Sequence, residues 1–241
     1  MENQPVANTS SSILYVKPPR SVTIAAAGLF AALAILLTSI SQSLVLSFPL
    51  IPYLQFDLGE VAIVLALLLF GPVPALAAGF VEFVTLMGFG VNAPYGPVLK
   101  LIAVLSSIAG LWLGAYVAKK WFGKSGSQSS MLGTSLAFGL LSRVGILTVA
   151  NYYLVVFIYG LTGPYGIIDF VRGPLQLVGI SITNSNAISL ILSLTAVFNA
   201  LQLILVFAIS YLVVREPHVR RSLRSNRMAW FEFFGTRVKP T

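Results

Sequence analysis

Five ionisable side chains lie within or beside long apolar stretches of this sequence and are the first candidates for chemistry: Asp57, Glu60, Glu82, Lys100 and Arg143. A charged group in hydrocarbon is costly, so such residues mark functional positions by default. Asp57 and Glu60 are three residues apart at the start of a predicted helix and share one face. Asp57 could equally cap that helix or act as a first-turn acid. Glu82 and Arg143 could pair with each other or with a backbone carbonyl, or contact a substrate.

Three amide side chains are the second set of candidates: Asn151, Asn199 and Gln202. Asn199 and Gln202 are three residues apart and share a helix face. Asn151 precedes Tyr152 and Tyr153, which add aromatic surface. Because an amide offers both donors and acceptors, this set could bind a neutral, flat heterocycle. Hydrogen bonding between helices is the alternative, and spacing alone leaves both interpretations open.

Sequence motifs of catalysis are missing. The chain has no cysteine, and its one histidine, His218, lies in a basic C-terminal stretch. There is no P-loop and no nucleophile elbow. No cluster of His, Asp and Glu suggests a metal site. We therefore predict a protein that is not an enzyme and that uses no cofactor or metal.

The composition indicates which elements position these candidates. Hydrophobic residues make up 57% of the 241 residues, charged residues only 9%, and the mean hydropathy is +0.90. Soluble domains carry roughly 25% charged residues. The apolar runs are continuous and do not alternate, which favours helices over a transmembrane barrel. The predicted fold class is an all-α integral membrane protein with six transmembrane helices.

The chain divides into three predicted regions. Residues 1–20 form a disordered cytoplasmic tail, residues 21–214 a six-helix membrane domain, and residues 215–241 a basic cytoplasmic tail. A turn is predicted at 48–52, and the connection 160–186 can accommodate a re-entrant or interfacial helix. The second and third helices are short for a span, so we expect both to be buried in protein more than exposed to lipid. The predicted helices cover 21–46, 57–70, 75–87, 98–117, 131–159 and 187–214.

The charge distribution predicts the orientation. The net charge is +8, but nine of the fifteen Lys and Arg residues lie in 17–20 and 215–239, flanking the apolar segments. This is the positive-inside pattern, with both termini in the cytoplasm. It argues against nucleic-acid binding, because the basic residues flank the apolar segments as the positive-inside rule expects. Asp57, Glu60 and Asp169 are then expected at the outer face.

Small residues form a smooth face on the first helix. Ala27 and Ala31 are four residues apart, as are Gly28 and Ala32. Such spacing allows close helix approach. The face either packs within this chain or docks another membrane protein.

The stretch Ile51-Pro52-Tyr53-Leu54-Gln55-Phe56-Asp57-Leu58-Gly59-Glu60, followed by Phe70-Gly71-Pro72-Val73, resembles the substrate-binding S components of energy-coupling factor (ECF) vitamin transporters. Within that group, Asn151-Tyr152-Tyr153 with Tyr159-Gly160, and Phe198-Asn199, are most similar to the riboflavin-specific S component. The resemblance covers about residues 22–214.

This resemblance implies a multi-pass plasma-membrane protein that binds riboflavin from the outer side. It implies delivery together with a transmembrane coupling protein and two cytoplasmic ATPase subunits. Asn151 and Asn199 would hydrogen-bond the flavin, residues 48–56 would cap the pocket, and the face with Ala27 and Ala31 would dock the coupling protein. The further substrate-binding candidates are Tyr152, Gln202, Lys100, Glu82 and Asp57.

The sequence departs from the riboflavin pattern at several of these positions. Gln202 and Glu82 stand where that pattern has lysine, Lys100 stands near an asparagine position, and Val61-Ala62 replaces a proline. An S component for another vitamin or heterocycle therefore stays open. So does a membrane scaffold protein without a small ligand. A self-sufficient secondary transporter is disfavoured because the two halves show no internal repeat.

Overall fold

The apolar stretches form helices, since only internally hydrogen-bonded backbone is stable in lipid. The computed structural model describes residues 19–90, 93–122, 128–159 and 166–219. Most of both predicted tails lies outside these ranges. The elements are α1 (Arg20–Ser43), β1 (Ser47–Phe48), β2 (Ile51–Gln55), α2 (Gly59–Phe70), α3 (Pro72–Phe89), α4 (Tyr95–Phe122), α5 (Gln128–Tyr153) with a π-helical extension (Leu154–Tyr159), α6 (Ile167–Leu177) and α7 (Ala187–Arg215).

Five helices in the described ranges are long and apolar enough to cross a membrane: α1, α3, α4, α5 with its extension, and α7. The predicted class, an all-α membrane protein, is confirmed. The sixth apolar helix, α2, has 12 residues and is about 18 Å long. It is therefore shorter than the hydrocarbon core of about 30 Å.

Helix α2 is the centre of the bundle. Every residue from Gly59 to Leu69 is buried, and the helix packs against α1, α3 and α7. All of its side chains except that of Glu60 are apolar. A helix that is apolar on every face is stable when other helices enclose it on every side. The expectation that this helix is buried in protein is confirmed.

Helix α3 differs from its prediction. It begins at Pro72 and extends to Phe89, and is therefore longer than the predicted 75–87. Phe80, Val84 and Phe89 are exposed on its outer face. The expectation that α3 is mainly buried in protein is wrong, because its apolar side chains form an outer, lipid-compatible face. Gly71, between α2 and α3, adopts φ +94°, a conformation that favours glycine.

A small antiparallel hairpin lies between α1 and α2, where the sequence predicted only a turn. Ser47 pairs with Gln55 and Phe48 with Ile51. The sequence did not indicate these strands because Pro49 and Pro52 lie in this stretch, and proline is uncommon in regular β-structure. The predicted first helix also ends earlier than expected, at Ser43, because the chain turns there into the hairpin.

The hairpin, the outer ends of α5 and α7, and helix α6 share an apolar cluster that we call the apolar cap. Its members include Phe48, Ile51, Val155, Ile168, Val171, Ile191 and Phe198. Helix α6 buries Ile167, Ile168, Val171 and Leu175 in this cluster. The sequence allowed a helix in the 160–186 connection, and α6 is that helix.

The two ends of the bundle differ in charge. Arg20, Lys119, Lys120 and Arg215 stand at the ends of α1, α4 and α7, and we call this the basic end. The opposite end carries the hairpin and is called the hairpin end. By the positive-inside rule the basic end is expected in the cytoplasm.

Candidate functional site

Four side chains from four segments meet near the hairpin end, and we call them the Lys100 cluster: Thr38, Asp57, Glu82 and Lys100. Lys100 Nζ forms an ion pair with Asp57 and lies 2.7 Å from Glu82 Oε1 and 2.6 Å from Thr38 Oγ1. Thr38 Oγ1 lies 2.8 Å from Asp57 Oδ1 and 2.7 Å from Glu82 Oε1. The hydroxyl accepts from Lys100 and donates to one carboxylate at a time. The cluster therefore ties together α1, the β2–α2 connection, α3 and α4.

The Lys100 cluster has an unequal charge balance. Two carboxylates face one ammonium, and these groups lie within an otherwise apolar bundle. Glu82 is 1% exposed, whereas the Asp57 side chain is 17% exposed. Asp57 also accepts a hydrogen bond from the Gly59 N–H at 2.7 Å, so it acts near the N-terminus of α2 as well as in the ion pair.

A cavity of about 120 Å³ opens beside this cluster at the hairpin end. Asp57 and Lys100 supply charge to its wall, Gln42 and Gln55 supply amides, and Tyr53 supplies an aromatic ring. Polar and apolar groups contribute about equally to its wall, so the cavity can offer hydrogen bonds and charge to a small polar molecule. The described residues that line it are Ser41, Gln42, Tyr53, Gln55, Phe56, Asp57, Leu86, Gly90, Gly96, Pro97 and Lys100.

A second ion pair lies deeper in the bundle. Arg143 Nη1 donates to Glu60 Oε2 at 2.5 Å, and Nη2 donates to Oε1 at 2.9 Å. Arg143 Nη1 also donates to Ser107 Oγ at 3.0 Å. Glu82 and Arg143 do not pair with each other, which was one of the alternatives that the sequence left open, because Glu82 pairs with Lys100 and Arg143 with Glu60. Since both Glu60 and Arg143 are buried and paired bidentately, this pair joins α2 to α5.

Gln202 contacts backbone in this structure. Its Nε2 donates to the Asp57 carbonyl at 2.7 Å, and its Oε1 accepts from the Asp57 N–H at 3.4 Å. The next peptide N–H, that of Leu58, donates to Ser41 Oγ at 3.0 Å. The amide predicted to bind substrate thus holds the β2–α2 connection against α7, beside the Lys100 cluster.

Asn151 and Asn199 lie on α5 and α7, near the apolar cap, and both are buried. Each donates its amide N–H to the carbonyl one turn earlier: Asn151 to Leu147 at 2.8 Å and Asn199 to Thr195 at 2.9 Å. Within the described residues, Asn151 Oδ1 is buried and has no hydrogen-bond partner. An unpaired buried oxygen of this kind needs an explanation such as a ligand or water.

The remaining predicted substrate-binding residue is Tyr152. Tyr152 is 40% exposed, and its ring meets that of Tyr153 at 5.8 Å in an edge-to-face arrangement. Tyr152 is not among the residues that line the cavity beside the Lys100 cluster.

The predicted small-residue surface of the first helix is exposed only in part. Ala31 is buried in the core of this chain, so the prediction that it docks a partner does not fit this packing. Ala27 is half-buried, whereas Ala25, Gly28 and Ala32 are exposed.

Sequence reasoning did not single out several polar residues of this region, namely Thr38, Gln42 and Gln55, although Gln55 lies within the range 48–56 that was expected to cap the pocket. Thr38 and Gln42 are four residues apart near the end of the first apolar segment, a spacing that places both on one helix face. This spacing of Thr38 and Gln42 was the feature of the sequence that could have identified both residues. Gln55 lies on a strand that the sequence did not reveal.

Gly59→Ala is expected to destabilise the protein by about 1–3 kcal/mol. A Cβ at Gly59 would overlap the Thr38 hydroxyl and lie 2.7 Å from both the Ala34 carbonyl oxygen and Glu82 Oε1. The matched control is Gly28→Ala, where a Cβ would meet nothing within 4 Å. Thermal unfolding in detergent measures both, and equal melting temperatures would contradict the close approach of α1 and α2.

No protein-family model and no curated protein sequence matches the chain. One solved structure, described as the S component of a bacterial ECF transporter, superposes with a TM-score of 0.59 at 23% sequence identity. The match covers 86% of this chain and 99% of that one. At this identity the likeness shows the fold.

Proposed function

We propose that this chain, which has the fold of an ECF S component, is the substrate-binding subunit of an ATPase-driven vitamin importer in the plasma membrane. Riboflavin is the proposed ligand, and it would enter at the hairpin end. The chain would act by binding and delivery and would catalyse no reaction. A transmembrane coupling protein and two cytoplasmic ATPase subunits are the proposed partners.

The observation that carries this proposal is the buried pair of amides, Asn151 and Asn199, near the apolar cap. Buried amides in apolar surroundings can orient a flat heterocycle while the apolar residues cover its body. The likeness to an S component supports the same role, since that fold belongs to a transporter subunit. Phe48, Phe56 and Phe198 lie with ring centroids 5.1–6.3 Å apart and would close the site from the hairpin end.

Docking to the coupling protein would use the exposed small-residue face of α1. Ala25, Gly28 and Ala32 are the exposed members of that face. These three residues carry nothing larger than a methyl group, so a partner helix could approach closely along them, with the exposed side chains of Ile24 and Leu29 on either side. Ala27 is half-buried and lies on another side of the helix from Gly28, and Ala31 is enclosed by the chain itself, so neither belongs to the exposed face.

Asn151→Ala and Asn199→Ala are each expected to weaken riboflavin binding by about 1–3 kcal/mol, because each leaves polar ligand atoms buried without a partner. This corresponds to roughly 5- to 150-fold in affinity. Quenching of flavin fluorescence on titration of the purified protein measures the change. Asn184→Ala is the matched control, because Asn184 is exposed in the connection before α7. A wild-type protein that does not quench riboflavin would refute the proposed ligand.

A second candidate is an S component for a positively charged heterocycle. The observation in its favour is the Lys100 cluster, in which two carboxylates face one lysine beside a cavity. A cationic ligand would balance the second carboxylate. Mass spectrometry of the small molecule that copurifies with the protein separates the candidates: a flavin supports the first and a cationic heterocycle the second.

A further inference from the structure

Hydroxyl side chains in the helices of this bundle usually bond to their own helix. Ser39, Ser41, Thr85 and Ser107 each donate to the carbonyl four residues earlier, at 2.7–2.9 Å. This bond satisfies a hydroxyl where water is absent. Thr195 on α7 differs. It is 0% exposed, and its Oγ1 has no hydrogen-bond partner within the described part of the chain.

The orientation of the Asn151 amide is fixed by its helix. Its Nδ2 donates to the Leu147 carbonyl at 2.8 Å. Rotating the amide by half a turn would place its oxygen against that carbonyl oxygen, which is repulsive. The atom directed away from the helix is therefore Oδ1, an acceptor. It is buried and, among the described residues, unpartnered.

The two unpartnered atoms belong to neighbouring helix faces. Helices α5 and α7 pack against each other. Val155 lies four residues after Asn151, and Ile191 lies four residues before Thr195; both belong to the apolar cap. Residues four apart lie on one face of a helix. Asn151 and Thr195 therefore lie on the faces that α5 and α7 direct toward the same apolar cluster.

We propose that Thr195 is a ligand-contacting residue and that it forms, with Asn151, a subsite for the neutral N–H edge of a flat heterocycle. This rests on the proposed function. Asn151 Oδ1 can only accept, so the ligand atom opposite it must be a donor. The Thr195 hydroxyl can donate or accept, so it suits a carbonyl or an N–H beside that donor. A lactam or imide edge has this pattern.

The charged groups near the contact between α5 and α7 favour a ligand whose polar edge is uncharged. Arg143 lies two turns before Asn151 on the same face of α5, but Glu60 already holds its guanidinium bidentately. It is therefore not available to balance an anionic ligand group. Among the described residues, the apolar cap brings uncharged side chains to this contact, including the partly buried Tyr53. A heterocycle with an uncharged polar edge and an apolar body fits both observations.

The test uses Thr195→Val, which removes the hydroxyl and keeps the shape, with riboflavin and N3-methylriboflavin as probes. We expect Thr195→Val to bind riboflavin about 10-fold more weakly than wild type, since it leaves a polar ligand atom unpaired. Wild type should also prefer riboflavin to the N3-methyl analogue, because methylation removes the donor facing Asn151. Thr134→Val is the matched control: Thr134 is at the other end of α5 and donates to the Ser130 carbonyl at 2.8 Å.

The melting temperature of the ligand-free protein provides a second, independent test. If the Thr195 hydroxyl has no partner in the ligand-free protein, Thr195→Val leaves its melting temperature unchanged or raised. A fall in melting temperature would overturn the inference, because it would reveal a structural hydrogen bond. Equal riboflavin affinity of wild type and Thr195→Val would overturn the Thr195 subsite alone. Absence of riboflavin binding by wild type would instead overturn the proposed function.

Discussion

Arg143→Met is expected to destabilise the protein by about 3–5 kcal/mol, since removing one member of a buried ion pair leaves the other charge uncompensated. The guanidinium makes two hydrogen bonds to Glu60 and one to Ser107. Both charged residues are buried where α2 meets α5. Thermal unfolding of the detergent-solubilised protein measures the loss.

Two further variants control this prediction. Arg143→Met with Glu60→Gln removes both charges and should recover much of the lost stability, because no buried ion is left unpaired. Arg172→Met removes the exposed partner of Asp169, which lies 3.0 Å away, and should change stability by less than about 1 kcal/mol. A loss in Arg143→Met no larger than that in Arg172→Met would contradict the structural role of the buried pair.

Lys100→Met is expected to have an effect of similar size, about 3–5 kcal/mol. It leaves Asp57 and Glu82 facing each other without a cation, and it removes a hydrogen bond to Thr38. Because Asp57 belongs to the β2–α2 connection, we expect the hairpin end to loosen first. Hydrogen exchange of the backbone amides of residues 51–59 would locate the change.

The two carboxylates should differ in how well they rescue this variant. Lys100→Met with Glu82→Gln should recover more stability than Lys100→Met with Asp57→Asn. Glu82 is 1% exposed, whereas Asp57 is 17% exposed and lines the cavity, so water can still solvate Asp57 in part. The opposite order of rescue would show that Asp57 carries the larger unbalanced cost.

The fold class could be predicted because it depends on hydropathy and on the placement of basic residues. The hairpin could not, because its strands contain only two and five residues, with Pro49 between them and Pro52 within the second strand. The ion pairs depend on the depth and rotation of each helix. Glu82 and Lys100 meet across the short connection between α3 and α4, and Arg143 reaches the start of α2. The spacing of these residues along the sequence does not predict which of them form ion pairs.

The candidate site was predictable in its residue types but not in their partners. Asn151, Asn199 and Gln202 were selected because amides suit a heterocycle. An amide suits a peptide group equally well, and Gln202 is bonded to the peptide groups of Asp57. Only the packing of α7 beside the hairpin distinguishes these uses. Thr195 was not selected because a single threonine in an apolar helix is common. Only the structure shows that its hydroxyl does not donate to a carbonyl of its own helix.

The length of α2 has a consequence for the synthesis of the protein. A helix of about 18 Å cannot hold both of its ends at the two membrane surfaces. Its burial by α1, α3 and α7 is complete only when the last of these, α7, has been made. We therefore expect α2 and α3 to leave the translocon together as one helical hairpin, turning at Gly71–Pro72. Until α7 arrives, one side of the newly inserted α2 would be covered by lipid chains, which the last helix then displaces.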